Sequence, residues 1–131
     1  MSVLDHEKLN VYQRSLDFVR FADSLLETIP KRLASHDQLE RAATSIPLNI
    51  AEGDGKFTAA GRCRFFDIAS GSALGCAAML DVLLRKGVIE PSQANEGKEI
   101  LRVIVAMLVG LIRNNSSDRV HEEQATYNEL D

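Results

Sequence analysis

Four segments of the chain place apolar residues every three or four positions, and short connections containing proline or glycine separate these segments. The spacing is typical of amphipathic α-helices, because it puts the apolar residues on one side of each helix. No segment shows the alternation of apolar and polar residues that indicates a β-strand. A length of 131 residues suits one domain with its own core. The sequence therefore predicts an all-α fold, an antiparallel up-down-up-down four-helix bundle.

Residues that start or stop helices mark the expected ends of the four segments. Serine and threonine accept hydrogen bonds from the free amides of a first turn, glycine readily ends a helix, and proline cannot continue one. The predicted helices cover residues 9–29, 35–52, 58–86 and 93–114. Their end signals are, in chain order, Pro30, Ser35 with Gln38, Thr58, Gly87 and Ser92. Inside the second helix, Pro47 predicts a kink or a break near Ser45.

The two ends of the chain differ from its middle in charge and patterning. We expect a flexible N-terminus at residues 1–8, the bundle at residues 9–114, and a disordered acidic tail at residues 115–131, which is polar and lacks periodicity. The ends hold 2 Lys/Arg and 7 Asp/Glu, a balance of −5, whereas residues 9–113 hold 13 and 12, a balance of +1. The bundle itself is therefore expected to be nearly neutral, despite the net charge of −4.

The predicted fourth helix is the most apolar of the four. Between Ile100 and Ile112 only Arg102 is charged, and the first helix also carries a wide apolar arc. A helix in a bundle normally keeps one polar face in water, so this surplus predicts burial between subunits. In the third helix, Gly71 and Gly75 lie on one side, away from the main apolar face. Close approach of another helix would offset their low helix propensity.

The sequence contains no recognisable catalytic or metal-binding set. Nucleophilic catalysis needs a nucleophile within reach of a base, but two of the histidines, His6 and His121, lie in the tails and His36 lies in a turn. The two cysteines, Cys63 and Cys76, are spaced like neither a metal pair nor a disulfide within one helix. We therefore expect no enzyme activity, no metal and no cofactor.

Four polar residues of the second helix, Arg41, Ser45, Asn49 and Glu52, share a face beside the apolar stripe. They can form a strip that recognises a ligand. Alternatively they make hydrogen bonds between helices, with Ser45 or Asn49 satisfying the backbone around Pro47.

Basic residues cluster around the start of the third helix, at Lys56, Arg62 and Arg64, with Arg41 on the preceding helix. Such groups commonly contact phosphates, so these four residues are candidate contacts for RNA or DNA. The alternative is a solvated surface with no ligand.

Nothing in the sequence predicts a membrane segment or a signal peptide. The longest apolar run, Val103–Leu111, is about half of the roughly twenty residues that a membrane span needs. The N-terminus is polar and charged, and the thiols are expected to be unpaired, so the expected compartment is the cytoplasm.

One segment resembles a known family. The matching motif is Ser45-Ile46-Pro47-Leu48-Asn49-Ile50-Ala51-Glu52-Gly53, which is followed by Phe65-Phe66 and by residues 68–73. Over residues 9–113 the chain is similar to a bacterial four-helix bundle family that includes the 23S rRNA intervening-sequence proteins and the accessory variability determinants of diversity-generating retroelements. The residues that match the family pattern are Arg41, Ser45, Pro47, Asn49, Glu52, Gly71 and Ser72.

The resemblance implies a homo-oligomer, typically a ring-shaped pentamer, with no catalysis. It supports a non-catalytic helical scaffold that binds itself and a protein partner. The retroelement branch implies the alternative, an RNA- or DNA-binding accessory protein that acts with a nucleic-acid enzyme such as a reverse transcriptase. That branch is markedly basic, whereas this chain is not.

Overall fold

A computed structural model describes the backbone of residues 4–130 and the side chains of residues 4–116. A short 3-10 helix at Asp5–Lys8 precedes four α-helices, and the described residues contain no strand. The helices are α1 at Asn10–Leu26, α2 at Ala34–Asp54, α3 at Ala59–Arg85 and α4 at Pro91–Leu130. The predicted all-α four-helix bundle is confirmed.

Each helix of the bundle packs against two neighbours. Helix α3 contacts α2 and α4, and α1 contacts the same two helices, so α1 and α3 lie diagonally across the core. Most of the core is aliphatic, since phenylalanine supplies its only large aromatic side chains. The largest fully buried side chains are Phe18, Phe66, Leu39, Ile46, Ile50, Leu80, Leu83, Leu101, Ile104, Leu108, Cys63 and Cys76.

Two of the predicted end signals are confirmed at α3. The Thr58 hydroxyl accepts a hydrogen bond from the Gly61 amide at 3.0 Å, which satisfies a free donor of the first turn. At the other end Gly87 has a φ of +74°, a left-handed conformation that glycine adopts without strain. The Val88 amide then donates to the Leu83 carbonyl at 2.9 Å and closes the helix end.

The predicted caps at Ser35 and Ser92 are wrong. Helix α2 begins one residue earlier, after Leu33, which makes no side-chain capping bond. Helix α4 begins at Pro91, because the fixed φ of proline suits a first helical position. There the Gln93 side chain accepts a hydrogen bond from the Glu90 amide at 2.8 Å.

Helical residues lie on both sides of the predicted boundaries of the bundle. Helix α4 continues to Leu130, whereas the sequence predicted disorder from residue 115. No glycine or proline follows Gly110, so nothing in the sequence stops the helix. The Asn115 and Ser116 side chains bond back to carbonyls of the preceding turn, at 2.8 and 2.7 Å. Asp5–Lys8, within the predicted flexible N-terminus, forms the 3-10 helix.

Candidate functional site

The polar residues around Pro47 join α2 to α3. The Ser45 and Ser72 hydroxyl oxygens lie 2.9 Å apart, and the Asn49 amide donates to the Ser45 carbonyl at 2.8 Å and to its hydroxyl at 2.9 Å. Pro47 lacks an amide hydrogen, yet α2 continues through it without a break. Ser45 and Asn49 are half-buried. The contact between Ser45 and Ser72 is an interhelical bond of the kind that the second interpretation of this strip predicted. The Asn49 amide bonds to the Ser45 carbonyl, not to the Ala43 carbonyl that Pro47 leaves without its usual donor.

The two charged members of the same strip lie apart from this pair. Arg41 is exposed and forms an ion pair with Asp37 at 3.3 Å. Glu52 forms one with Lys56 at 3.5 Å. Both pairs join residues one turn apart on the surface, where an ion pair contributes little to stability. In the structure, the charged ends of the strip therefore pair with other residues, not with Ser45 and Asn49.

We expect the free energy of unfolding of the Asn49→Ala variant to be about 1–2 kcal/mol lower, because the variant loses both side-chain hydrogen bonds to Ser45 at a half-buried position. Thr44→Ala is the matched control, since it removes a similar bond of 2.9 Å to the Glu40 carbonyl on the exposed side of α2. Urea denaturation at one fixed protein concentration measures both. Equal losses for the two variants would contradict the structural role of Asn49.

The four basic candidates do not form one cluster. Arg62 turns inward, where its guanidinium donates to the Asn115 side chain at 2.8 Å and to the carbonyls of Lys56 and Phe57 at 3.2 and 3.0 Å. It therefore fastens the α2–α3 connection to α4. Arg41 lies fifteen positions before Lys56, roughly 22 Å along the helix axis. The structure thus separates Arg41 from the other three basic residues.

Lys56 and Arg64 remain together around an aromatic ring. The Lys56 ammonium lies 4.9 Å from the centre of the Phe65 ring, and the Arg64 guanidinium lies 5.9 Å from it. These distances are within the range of cation–π contacts. Phe57, which follows Lys56 in the chain, is fully exposed, with 101% of its surface accessible. This end of the bundle thus has one fully exposed ring, and two cations that contact a second, half-buried ring.

The outward side of α3 is apolar as well as its inward side. Its core residues Phe66, Ala69, Ala73, Cys76 and Leu80 are all buried. The residue two positions after each lies about 200° around the helix and is exposed. These five residues, which we call the α3 outer face, are Ile68, Gly71, Gly75, Ala78 and Val82. Ile68 and Val82 are 42% and 47% exposed.

The same rule gives a mixed surface on α4. Two positions after the buried residues Ala94 and Gly97 come the exposed acids Glu96 and Glu99. Two positions after the buried residues Leu101, Ile104 and Leu108 come Val103, Ala106 and Gly110, so this side of α4 is apolar only from Val103 onward. Ala106 and Gly110 are exposed and Val103 is half-buried. We call these three residues the α4 outer face.

The corresponding positions of α1 and α2 are mainly polar. On α1 they are Gln13, Asp17, Arg20, Ser24 and Glu27, and on α2 they are Arg41, Ser45, Leu48 and Glu52. The apolar surplus therefore lies on α3 and α4, whereas the sequence predicted it on the first and fourth helices. The outer side of α3 is largely apolar, that of α4 is apolar only from Val103 onward, and those of α1 and α2 are mainly polar.

The glycines of the outer faces face open space. A methyl group added at Gly71, Gly75 or Gly110 would meet no atom within 4 Å outside the helix itself. By contrast, one added at Gly97 would lie 2.5 Å from the Phe21 ring. Gly97 is therefore needed for packing within the bundle, whereas nothing inside the bundle requires the three open glycines.

The apolar outer face also explains the composition of α3. By length and composition alone, α3 is the one helix of the described residues that could cross a membrane, with a mean hydropathy of 1.4 over its most apolar stretch. Only 28% of that stretch is buried inside the bundle. Helices in the cores of bundles commonly have this length and composition, so this property does not by itself indicate a membrane protein.

No catalytic arrangement is evident in the described part of the chain. His6 packs edge-on against Tyr12 with ring centres 4.8 Å apart, and the side chain of His121 is outside the described residues. His36 is half-buried in the first turn of α2, not in the connection where the sequence placed it. No three potential metal-binding side chains come together within the described range. Both cysteines are free and buried, and burial raises the pKa of the Cys76 thiol to about 12. At neutral pH that thiol is protonated and a poor nucleophile.

Comparison with known proteins identifies the family. The family model for the 23S rRNA-intervening sequence protein matches residues 7–110. A crystal structure of a protein of unknown function from the S23 ribosomal protein family of Bacteroides thetaiotaomicron VPI-5482 superposes with a TM-score of 0.74. The two are 25% identical, over 78% of this chain and 97% of that one. No curated protein matches the chain. The chain belongs to the 23S rRNA-intervening sequence protein family.

Proposed function

We propose that the protein is a non-catalytic scaffold that assembles with copies of itself and presents the assembled surface to a protein partner. The observation that carries this proposal is the pair of apolar outer faces on α3 and α4. Exposed apolar surface of this kind marks interaction sites in soluble proteins, because burying it in an interface releases ordered water. A neutral bundle without a catalytic set suits a binding role.

The expected assembly is a ring-shaped pentamer, which the resemblance to the family implies and membership of the family supports. No cofactor or membrane takes part in this proposal. The free, buried thiols of Cys63 and Cys76 suit a reducing compartment, and the proposed location is the cytoplasm.

Analytical ultracentrifugation over a dilution series tests the assembly. We expect a species several times heavier than the chain's 14.4 kDa at micromolar concentration. Sedimentation as a 14.4 kDa monomer throughout the series would rule out the proposal.

A second candidate function is binding of single-stranded RNA or DNA, as an accessory to a nucleic-acid enzyme such as a reverse transcriptase. It is favoured by one observation, the fully exposed Phe57 in the same α2–α3 connection as Lys56, whose ammonium lies with Arg64 around the Phe65 ring. Proteins that bind single strands combine aromatic rings, on which bases stack, with cations that contact the phosphates. Arg62 would support this site by holding the connection in place.

A salt titration with a labelled single-stranded RNA tests this candidate. We expect affinity to fall steeply with salt, because binding releases counterions. Phe57→Ala should weaken binding roughly 5- to 150-fold, the loss of about 1–3 kcal/mol of stacking. Arg41→Ala is the matched control and should bind like the natural protein, since Arg41 lies far from Phe57. No binding even at low salt would remove this candidate.

A further inference from the structure

We propose that the part of α4 that extends beyond the bundle lowers the affinity of the Phe57 site for single-stranded nucleic acid. The Phe57 site consists of the exposed Phe57 and the two cations around the Phe65 ring, Lys56 and Arg64. The α4 extension is residues 118–130. This inference rests on the second candidate function and adds its regulation, because acids of the extension oppose the phosphates of the ligand.

Helix α4 continues well past the start of α3. The Arg62 guanidinium donates to the Asn115 side chain at 2.8 Å, so these two residues are level on α3 and α4. Helix α3 begins three residues before Arg62, at Ala59, so the antiparallel α4 reaches that level near residue 118. About twelve further residues of α4, roughly 18 Å of helix, lie beyond it. The α4 extension therefore projects from the end of the bundle that carries the Phe57 site.

One side chain joins α4 to the Phe57 site. Besides its bond to Asn115, the Arg62 guanidinium donates to the carbonyls of Lys56 and Phe57 at 3.2 and 3.0 Å. The connection that carries Phe57 is therefore fastened to α4 about one turn before the extension begins. Exposed charges act over about 8 Å at physiological ionic strength and over about 30 Å at 0.01 M. At low salt, acids of the extension thus act on a strand at the Phe57 site without touching it.

The α4 extension sets the sign of the charge at this end of the molecule. Residues 52–67 include the whole α2–α3 connection and the Phe57 site, and they hold three Lys/Arg and three Asp/Glu. Residues 118–130 hold one Arg and four Asp/Glu, a balance of −3. Lys56 is in addition paired with Glu52 at 3.5 Å. A polyanion that approaches Phe57 therefore meets net negative charge, and the extension is its source.

The register of α4 carries most of these acids on the side that faces the axis of the bundle. Within the bundle this side contains the buried Ile104 and Leu108 and the half-buried Asn115. Further steps of three or four residues reach positions 118, 122, 125 and 129, of which three are acidic. These three acids, which we call the acidic stripe, are Asp118, Glu122 and Glu129. The acidic stripe therefore overhangs the end of the bundle.

Acids in this position weaken the binding of a strand in two ways. They repel its phosphates, and they lower the positive potential that Lys56 and Arg64 create around the Phe65 ring. A base stacked on Phe57 brings the adjoining phosphates to this end of the bundle, since proteins that bind single strands pair stacking rings with cations along the backbone. Both effects are electrostatic, so both diminish as salt is added.

Neutralising part of the acidic stripe in the full chain tests the inference. The Asp118→Asn, Glu122→Gln double variant should bind a labelled single-stranded RNA roughly threefold to tenfold more tightly than the natural protein at about 0.01 M salt. The gain should shrink at about 0.15 M salt, because the screening length falls from about 30 to about 8 Å. Adding Phe57→Ala should remove the tighter binding. A gain that persists without Phe57 would place the effect at another surface and overturn the inference.

The Glu123→Gln, Asp131→Asn double variant is the matched control, because it makes the same change in charge outside the acidic stripe. Its gain should be clearly smaller than that of the stripe variant, and circular dichroism verifies that both variants remain helical. Equal gains would show that only total charge matters and would overturn the inference. A stripe variant that binds like the natural protein would also overturn it while leaving RNA binding standing. Absence of binding by every variant at low salt would remove both.

Discussion

Gly75→Glu is expected to turn the assembled protein into folded monomers. The new side chain has space within its own chain, because no atom lies within 4 Å of an added methyl group outside the helix. It also replaces glycine with a better helix former. In the assembly, however, it places a carboxylate on the apolar α3 outer face, which the proposed contact between copies buries. Burying an unpaired charge costs several kcal/mol, which exceeds what a small helix-to-helix contact supplies.

Ser24→Glu is the matched control, because Ser24 is the equivalent outward position on α1 and is exposed. Size-exclusion chromatography with light scattering gives the mass of each variant, and circular dichroism verifies that both remain helical. We expect Gly75→Glu at 14.4 kDa and Ser24→Glu at the mass of the natural protein. A Gly75→Glu variant that assembles normally would show that the α3 outer face is not an interface.

Gly97→Ala is expected to cost about 1–3 kcal/mol of stability, the usual cost of overpacking a core. The added methyl would lie 2.5 Å from the Phe21 ring and 2.7 Å from a Leu80 methyl, so α1, α3 or α4 must shift. Gly55→Ala is the control, since its added methyl meets only ordinary contacts at 3.6 Å and its φ of −82° suits any residue. Urea denaturation at one protein concentration compares them. Equal stability of the two variants would contradict the close packing at Gly97.

The fold could be predicted from the sequence because helical periodicity, and the residues that begin or end a helix, act over only a few neighbouring positions. Thr58 and Gly87 act within one turn of their own positions, and both were predicted. Ser35 and Ser92 carried the same kind of signal, but the helices begin one residue earlier, at Ala34 and Pro91. The continuation of α4 was missed because lack of apolar periodicity was read as lack of helix.

The apolar outer faces could not be assigned from the sequence alone. Gly71, Gly75 and Ala78 add little to a count of apolar residues. The sequence therefore indicated an apolar surplus on the first helix and none on α3. Only the packing shows which side of α3 is inward, and hence that a second apolar side is left over. Phe65 and Met79, at the edge of the inward side of α3, are half-buried.

Some contacts of the polar residues could be predicted from the sequence, and others could not. The hydrogen bond between Ser45 and Ser72 is of the kind that one of the two predicted interpretations described. The role of Arg62 depends on Asn115, which the sequence assigned to a disordered tail, so no local pattern could have predicted that contact. The sequence grouped Arg41 with the other basic residues because it lies in the preceding helix. In the structure, the length of α2 separates Arg41 from the other three.

The central claim is that this bundle acts as an assembly of identical copies, and native mass spectrometry of the full, unaltered chain tests it most directly. The account predicts one dominant species at a fixed multiple of 14.4 kDa at micromolar concentration, with five copies expected from the family. A spectrum that contains only the 14.4 kDa chain under the same conditions would contradict it.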